Sequence, residues 1–296
     1  MMSTLFPSLA AVLTLALLGV IFGIILSIAR IRLRVDKDPR IELVLDALPG
    51  ANCGACGFPG CSGYARKIVL DGADINLCQL GGQEVLEKIA GIMRVQPVGF
   101  GVPVKARVHC QGGIAETARQ FIYSGPHECA AANEMMGGFK VCQYGCLGFG
   151  DCVKACNFDA IHMSEKGLPV VDDEKCVGCG MCVKACPRDI ISLVPENMDV
   201  YVRCMNREKA PVMKKGCSVG CIGCRLCVKA CTEVFKDNEE IESAITVDSF
   251  LASINYDLCV NCYKCAEVCP VPVIEPVTVS KKFRKQAEKE NIEESA

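Results

Sequence analysis

The side chains with chemistry to offer are cysteines: 24 in a chain of 296 residues, against three histidines and no tryptophan. They are bunched. Cys53, Cys56 and Cys61 are spaced C-x2-C-x4-C, and Cys78 follows after a gap of sixteen residues. Cys176, Cys179, Cys182 and Cys186 read C-x2-C-x2-C-x3-C before Pro187, and Cys259, Cys262, Cys265 and Cys269 repeat that run before Pro270. Thiols this close together are badly placed to pair with their neighbours as disulfides but well placed to converge on one metal centre. A chain of this length can bury a core without covalent staples, so a disulfide framework would answer no stability problem.

The run ending in Cys-Pro is the ligand pattern of bacterial ferredoxins. Its first three cysteines hold one [4Fe-4S] cluster and its fourth holds the other cluster of a pair. Soft thiolate suits such iron, where serine or aspartate would serve poorly. Cys221, Cys224, Cys227 and Cys231 supply the partner run, so crossing the fourth ligands predicts one cluster on Cys221, Cys224, Cys227 and Cys269 and another on Cys259, Cys262, Cys265 and Cys231. The same logic puts a cluster on Cys176, Cys179, Cys182 and Cys156. Its mate has Cys146, Cys152 and Cys186 but carries Phe149 where a cysteine is due. Cys142, with three residues between it and Cys146, is expected to fold back as the missing ligand; the alternative is a site that has lost its cluster.

Shifting the sequence by 75 positions lays Cys129, Cys142, Cys146, Cys152 and Cys156 on Cys204, Cys217, Cys221, Cys227 and Cys231 without a gap, so the two ferredoxin regions are an internal repeat. With the group at Cys53, Cys56, Cys61 and Cys78, five [4Fe-4S] clusters are expected. Cys110, Cys129, Cys204 and Cys217 remain, and a sixth cluster bridging the repeats and four reduced buried thiols both stay open. Zinc also takes C-x2-C pairs but does not call for a third cysteine two residues on and a fourth before proline, so a structural zinc scaffold fits the spacing less well. His109, His127 and His162 are expected as packing or surface residues. Lys154, Lys184 and Lys229, each two residues before a ligand cysteine, could dock an acidic carrier or form a solvated face.

The elements that must position these groups are short. Helical periodicity predicts helices over 62–70 and 83–92. The chain then divides into an N-terminal 4Fe-4S domain at 36–95, a linker with connecting strands at 96–135, ferredoxin modules at 136–197 and 198–276, and a charged tail at 277–296. Ahead of them, Leu5–Ala29 holds no charged residue over 25 positions, enough for a helix to cross a hydrocarbon core of about 30 Å. Arg30, Arg32, Arg34, Lys37 and Arg40 follow, which predicts a single-pass anchor in the inner (cytoplasmic) membrane with the N-terminus outside and all cysteines in the cytoplasm. The predicted fold class is small α+β iron-sulfur domains, one 4Fe-4S domain and two bacterial-ferredoxin-like 2[4Fe-4S] modules, behind one transmembrane helix. A formal net charge of -2 gives no reason to expect a nucleic-acid partner, and no dinucleotide or triphosphate motif is present.

An N-terminal span, then "NCGACGFPGCSGYA" with its distant Cys78, then "YGCLGFGDCVKAC" and the ferredoxin runs, resembles the B subunit of the Rnf complexes, over essentially the whole chain. These are the ion-translocating ferredoxin:NAD+ oxidoreductases of bacterial and some archaeal membranes, and the duplicated ferredoxin region is similar to their longer forms. The Cys53–Cys78 group is also similar to the cluster domain of the corrinoid iron-sulfur protein, so the combination carries the resemblance. It implies an oxidoreductase subunit with no substrate site of its own. Reduced ferredoxin or flavodoxin would donate electrons on the cytoplasmic side, partner subunits of the complex would receive them and move sodium ions or protons, and a flavin-bearing subunit would reduce NAD+. A subunit of another membrane redox complex, such as one reducing a regulatory protein, is the alternative. Cys56→Ala is expected to remove one cluster and leave the ferredoxin modules folded, read as a partial loss of iron; simultaneous loss of every cluster would overturn the domain division.

Overall fold

The computed structural model describes residues 2–32, 38–97, 99, 101–236 and 243–276. The expected tail from Val277, and Arg34 and Lys37 of the basic flank, lie outside the described residues. Helix α1 (Met2–Arg32) runs unbroken through the uncharged N-terminal stretch. Its side chains are described only at Leu13, residues 15–29 and Arg32, and those at Leu15, Leu17, Phe22 and Leu26 are exposed. Among the described residues no helix is long and apolar enough to cross a membrane.

Three helices follow. In α2 (Pro39–Ala47), Pro39 occupies the first turn and the Asp38 carboxylate accepts from the Arg40 N–H at 2.9 Å, a proper N-terminal stop. Helices α3 (Gly60–Asp71) and α4 (Gly82–Met93) each start a residue or two before the ranges expected from periodicity and end one residue after them. Val44, Leu48, Tyr64, Ala65, Ile68 and Ile89 close the core between them. Tyr64 also ties the loop after α3: its hydroxyl donates to the Asp74 carbonyl at 2.7 Å and accepts from the Leu77 N–H at 3.1 Å, beside Cys78.

The rest is a βαββαβ pattern met twice. The first copy comprises β1 (Val104–Val108), α5 (Cys129–Glu134), α6 (Asp151–Lys154), β2 (Ile161–Met163), β3 (Pro169–Val171), α7 (Met181–Ala185) and β4 (Ile191–Pro195). Strand β1 pairs antiparallel with β4, Val104 opposite Pro195, while β2 and β3 form a hairpin. The second copy runs β5 (Val200–Val202), α8 (Ala210–Gly216), α9 (Leu226–Val234), β6 (Ile245–Asp248), β7 (Leu251–Ile254), α10 (Lys264–Glu267) and β8 (Ile274–Pro276). There β5 pairs with β8 and β6 with β7, again antiparallel. Strand β1 lies in the stretch expected as a linker with connecting strands, and its Ala106 and Val108 are buried in the same core as Ile190 and Ile191. The first copy therefore opens near residue 104 instead of 136, with α5 and its flanks inserted between β1 and α6.

The two copies meet across β1. Arg107 forms a buried ion pair with Asp173, and its guanidinium lies 5.9 Å from the ring centre of Tyr201 in the second copy. Burial holds the His109 pKa below its ordinary value. The neutral ring matches its surroundings: Nδ1 donates to the Val202 carbonyl and Nε2 accepts from the Ser192 hydroxyl, both at 2.6 Å. His109 is a packing residue, as expected.

Tyr64→Phe removes the hydroxyl that serves two backbone groups and is expected to cost about 1–3 kcal/mol. Denaturant unfolding of the holoprotein checks this; an unchanged midpoint would show that the hydroxyl does not hold the Cys78 loop.

Candidate metal centres

The N-terminal group sits on a loop that coils back on itself. Asn52 Oδ1 accepts from the Cys61 N–H at 2.8 Å, and Gly60, at φ 75°, leaves room for it; a Cβ there would lie 2.7 Å from that oxygen. Cys78 arrives from beyond α3. Burial first, then the neighbouring Cys61, Cys53 and Cys56, push its thiol pKa up, so the four converge.

Each βαββαβ copy carries two more groups. Cys156, Cys176, Cys179 and Cys182 line one cavity walled by Ala106, Phe158 and Ile161. Burial pushes the Cys182 thiol up to about 12. In the second copy, Cys221, Cys224, Cys227 and Cys269 line a cavity with Pro270, and burial puts Cys227 at about 11. Cys265 is raised to about 12, chiefly by burial, with Cys259, Cys262 and Cys231 among its electrostatic neighbours. In these three groups the fourth cysteine comes from the partner run, the crossing expected from the spacing.

The remaining group departs from expectation. Cys146, Cys152 and Cys186 line a cavity with Pro187, but the fourth cysteine there is Cys129, not Cys142. Burial, then Cys129 and Cys186, raise the Cys152 thiol to about 12. Cys142 lines a different cavity with Cys110, Cys204 and Cys217.

Phe149 explains the exchange. Its ring packs against Tyr123, Phe139 and His127, with centroids 5.5, 5.6 and 5.3 Å away. That cluster anchors the segments on both sides of α5, whose first residue is Cys129. Two polar ties complete the attachment: Asp151 Oδ2 accepts from the Ala130 N–H at 3.1 Å, and Arg188 donates to the Gly137 carbonyl. The aromatic side chain at the position where a cysteine was expected thus docks the helix that brings Cys129 to the cavity.

Among the described residues there is no group of three or more His, Cys, Asp or Glu side chains that could hold a metal ion. The cysteines instead ring gaps wide enough to form cavities, an arrangement for a polynuclear core. The linings are mainly apolar, with Asp151 and Arg188 bordering the Cys146 group and Arg225 the Cys221 group, and burial raises thiol pKa values because an uncompensated thiolate there is costly. Backbone N–H groups already point at sulfur, as from Ala160 to Cys156 Sγ at 3.4 Å. Soft thiolates in fours, buried among apolar walls with amide donors aimed at sulfur, fit [4Fe-4S] clusters.

A family model for an Fe-S cluster matches residues 48–80, and two models for 4Fe-4S dicluster domains match residues 140–193 and 220–273. The chain is 44% identical over 260 residues to the B subunit of the Na(+)-translocating ferredoxin:NAD(+) oxidoreductase complex of Acetobacterium woodii, covering 88% of this chain and 75% of the relative. It is 40% identical over 281 residues to the B subunit of the proton-translocating ferredoxin:NAD(+) oxidoreductase complex of Clostridium ljungdahlii, covering 93% and 95%. It is 39% identical over 275 residues to the B subunit of the ion-translocating oxidoreductase complex of Methanosarcina acetivorans, covering 93% and 99%.

Gly178, between Cys176 and Cys179, has φ 67°, and a Cβ there would collide with the Val104 carbonyl oxygen. Gly178→Ala is expected to destabilise the first copy by more than about 2 kcal/mol, the left-handed backbone alone costing about 1–2 kcal/mol. Denaturant unfolding followed by visible absorbance checks it, and an unchanged midpoint would show that β1 does not press on this loop.

Proposed function

The chain belongs to the family of B subunits of ion-translocating ferredoxin:NAD+ oxidoreductase complexes and is an iron-sulfur electron-transfer subunit; we propose that it takes electrons from reduced ferredoxin or flavodoxin and relays them to partner subunits of the complex. In this reading five [4Fe-4S] clusters are held by Cys53, Cys56, Cys61 and Cys78; by Cys176, Cys179, Cys182 and Cys156; by Cys146, Cys152, Cys186 and Cys129; by Cys221, Cys224, Cys227 and Cys269; and by Cys259, Cys262, Cys265 and Cys231. Bound there, they supply one-electron carriers.

The observation that carries the reading is the succession of cysteine groups through the fold. Cys53 is an electrostatic neighbour of Cys179, and the Lys184 ammonium donates to the Gly54 carbonyl at 3.5 Å, so the N-terminal loop abuts the first copy. Within each copy the two groups exchange their fourth cysteine, which keeps neighbouring sites close. Apolar linings exclude water, and backbone N–H groups stabilise the negative sulfurs. The chain carries no dinucleotide motif, so NAD+ reduction and ion movement fall to other subunits.

The membrane anchor belongs to the same proposal. The uncharged stretch Leu5–Ala29 lies within one continuous helix, and basic residues follow it. Crossing the cytoplasmic membrane once, with its N-terminus outside, α1 would hold every cysteine group at the inner face.

The test is anaerobic rapid mixing of the purified full chain with reduced ferredoxin, followed near 400 nm. Bleaching of the iron-sulfur absorbance is expected; a colourless zinc protein, or clusters that ferredoxin leaves oxidised, would overturn the reading. Cys129→Ser is expected to lose about four irons per chain. A full iron complement in that variant would remove Cys129 from the ligand set.

A further inference from the structure

Cys110, Cys142, Cys204 and Cys217 line one cavity between the two copies. Both copies contribute: Cys110 lies just beyond β1, Cys142 precedes α6, Cys204 lies just beyond β5 and Cys217 follows α8. Three of the sulfurs already accept hydrogen bonds. Cys110 Sγ accepts from the Cys146 N–H at 3.4 Å. Cys204 Sγ accepts from the N–H groups of Asn206 and Cys221, each at 3.4 Å. Cys142 Sγ accepts from the Asn206 side-chain amide at 3.4 Å. A neutral thiol is a weak acceptor, so donors converging on three sulfurs suit thiolates held by metal.

Lys140 points the same way. It is only 4% exposed, and its ammonium donates to the Gly112 carbonyl at 3.2 Å in the wall of this cavity. Among the described residues no carboxylate forms an ion pair with it. A buried cation facing only a carbonyl dipole is costly, and compensating negative charge removes that cost. Four metal-bound thiolates would provide it; four protonated thiols would not.

We propose that Cys110, Cys142, Cys204 and Cys217 hold a further [4Fe-4S] cluster joining the two βαββαβ copies, with buried Lys140 and Asn206 raising its reduction potential. The proposal rests on the reading of the other five groups as clusters. A fixed cation favours the more negative, reduced form, and amide donors to sulfur act in the same direction. The backbone N–H groups of Cys146 and Cys221, ligands of the sites on either side, reach sulfurs of this one, so it is the direct link between the copies.

The experiment uses the full chain reconstituted anaerobically with iron and sulfide, with iron counted per chain and each cluster titrated by EPR. Wild type is expected to hold about 24 irons, and Cys217→Ser about four fewer. Lys140→Met is expected to keep its iron while one cluster shifts to lower potential. At a fixed poise its reduced-to-oxidised ratio should fall about tenfold, equivalent to about 59 mV for a one-electron couple, and Lys140→Arg should largely restore it. About 20 irons in wild type and Cys217→Ser alike overturns this site and leaves the five-cluster reading standing. Unchanged midpoints in Lys140→Met overturn the role of the lysine, even if Cys217→Ser fails to fold. Iron far below either count, or zinc in its place, overturns the five-cluster reading itself.

Discussion

Everything beyond the N-terminal helices depends on thiolates being gathered in fours inside apolar walls. Burial alone makes those thiols reluctant to ionise, as at Cys152, Cys182 and Cys265, each raised to about 12. A metal core reverses that balance by taking up the charge, and so binding and folding become one equilibrium. The secondary structure has little stability of its own to add. Helices α6 and α10 are four residues long, and among the described residues every sheet has two strands. Such pieces are marginal in water without something at their centre.

This dependence explains the economy of the fold. Each βαββαβ copy exchanges a cysteine between its two runs, so each site closes a long loop and fastens both halves at once. Other contacts do smaller, more local work. The Arg107 guanidinium over the Tyr201 ring and the His109 bond to the Val202 carbonyl hold β1 against the second copy, while the aromatic group around Phe149 fastens α5 to the first.

Local spacing was readable from the chain itself: the grouping of the cysteines in the complete runs, the helices around Tyr64 and Ile89, and the 75-residue repeat all follow from residue types and spacing. Long-range placement was not. Cys129 and Cys142 both precede Cys146, and nearness along the chain favours Cys142. The decision is made by Phe149, Tyr123 and Phe139, whose packing carries a distant helix inward, and no ligand spacing encodes that. A short strand was legible at the end of the valine-rich linker, but its partner was not: β1 pairs with β4, far along the chain. The signal for Cys129 lay in the repeat, where Phe149 falls on Cys224 and a broken motif asks for a substitute from elsewhere.

Strand β4 ends at Pro195 and β5 begins at Val200, so four residues join the two copies. A stretch that short cannot span more than about 18 Å even when fully extended. With β1 pinned to both sides, it acts as a covalent ruler. The separation between the cysteine groups of the two copies is therefore a property of one polypeptide and not of an encounter. It does not vary with protein concentration, and salt, which weakens docking between separate charged carriers, has no such handle on it.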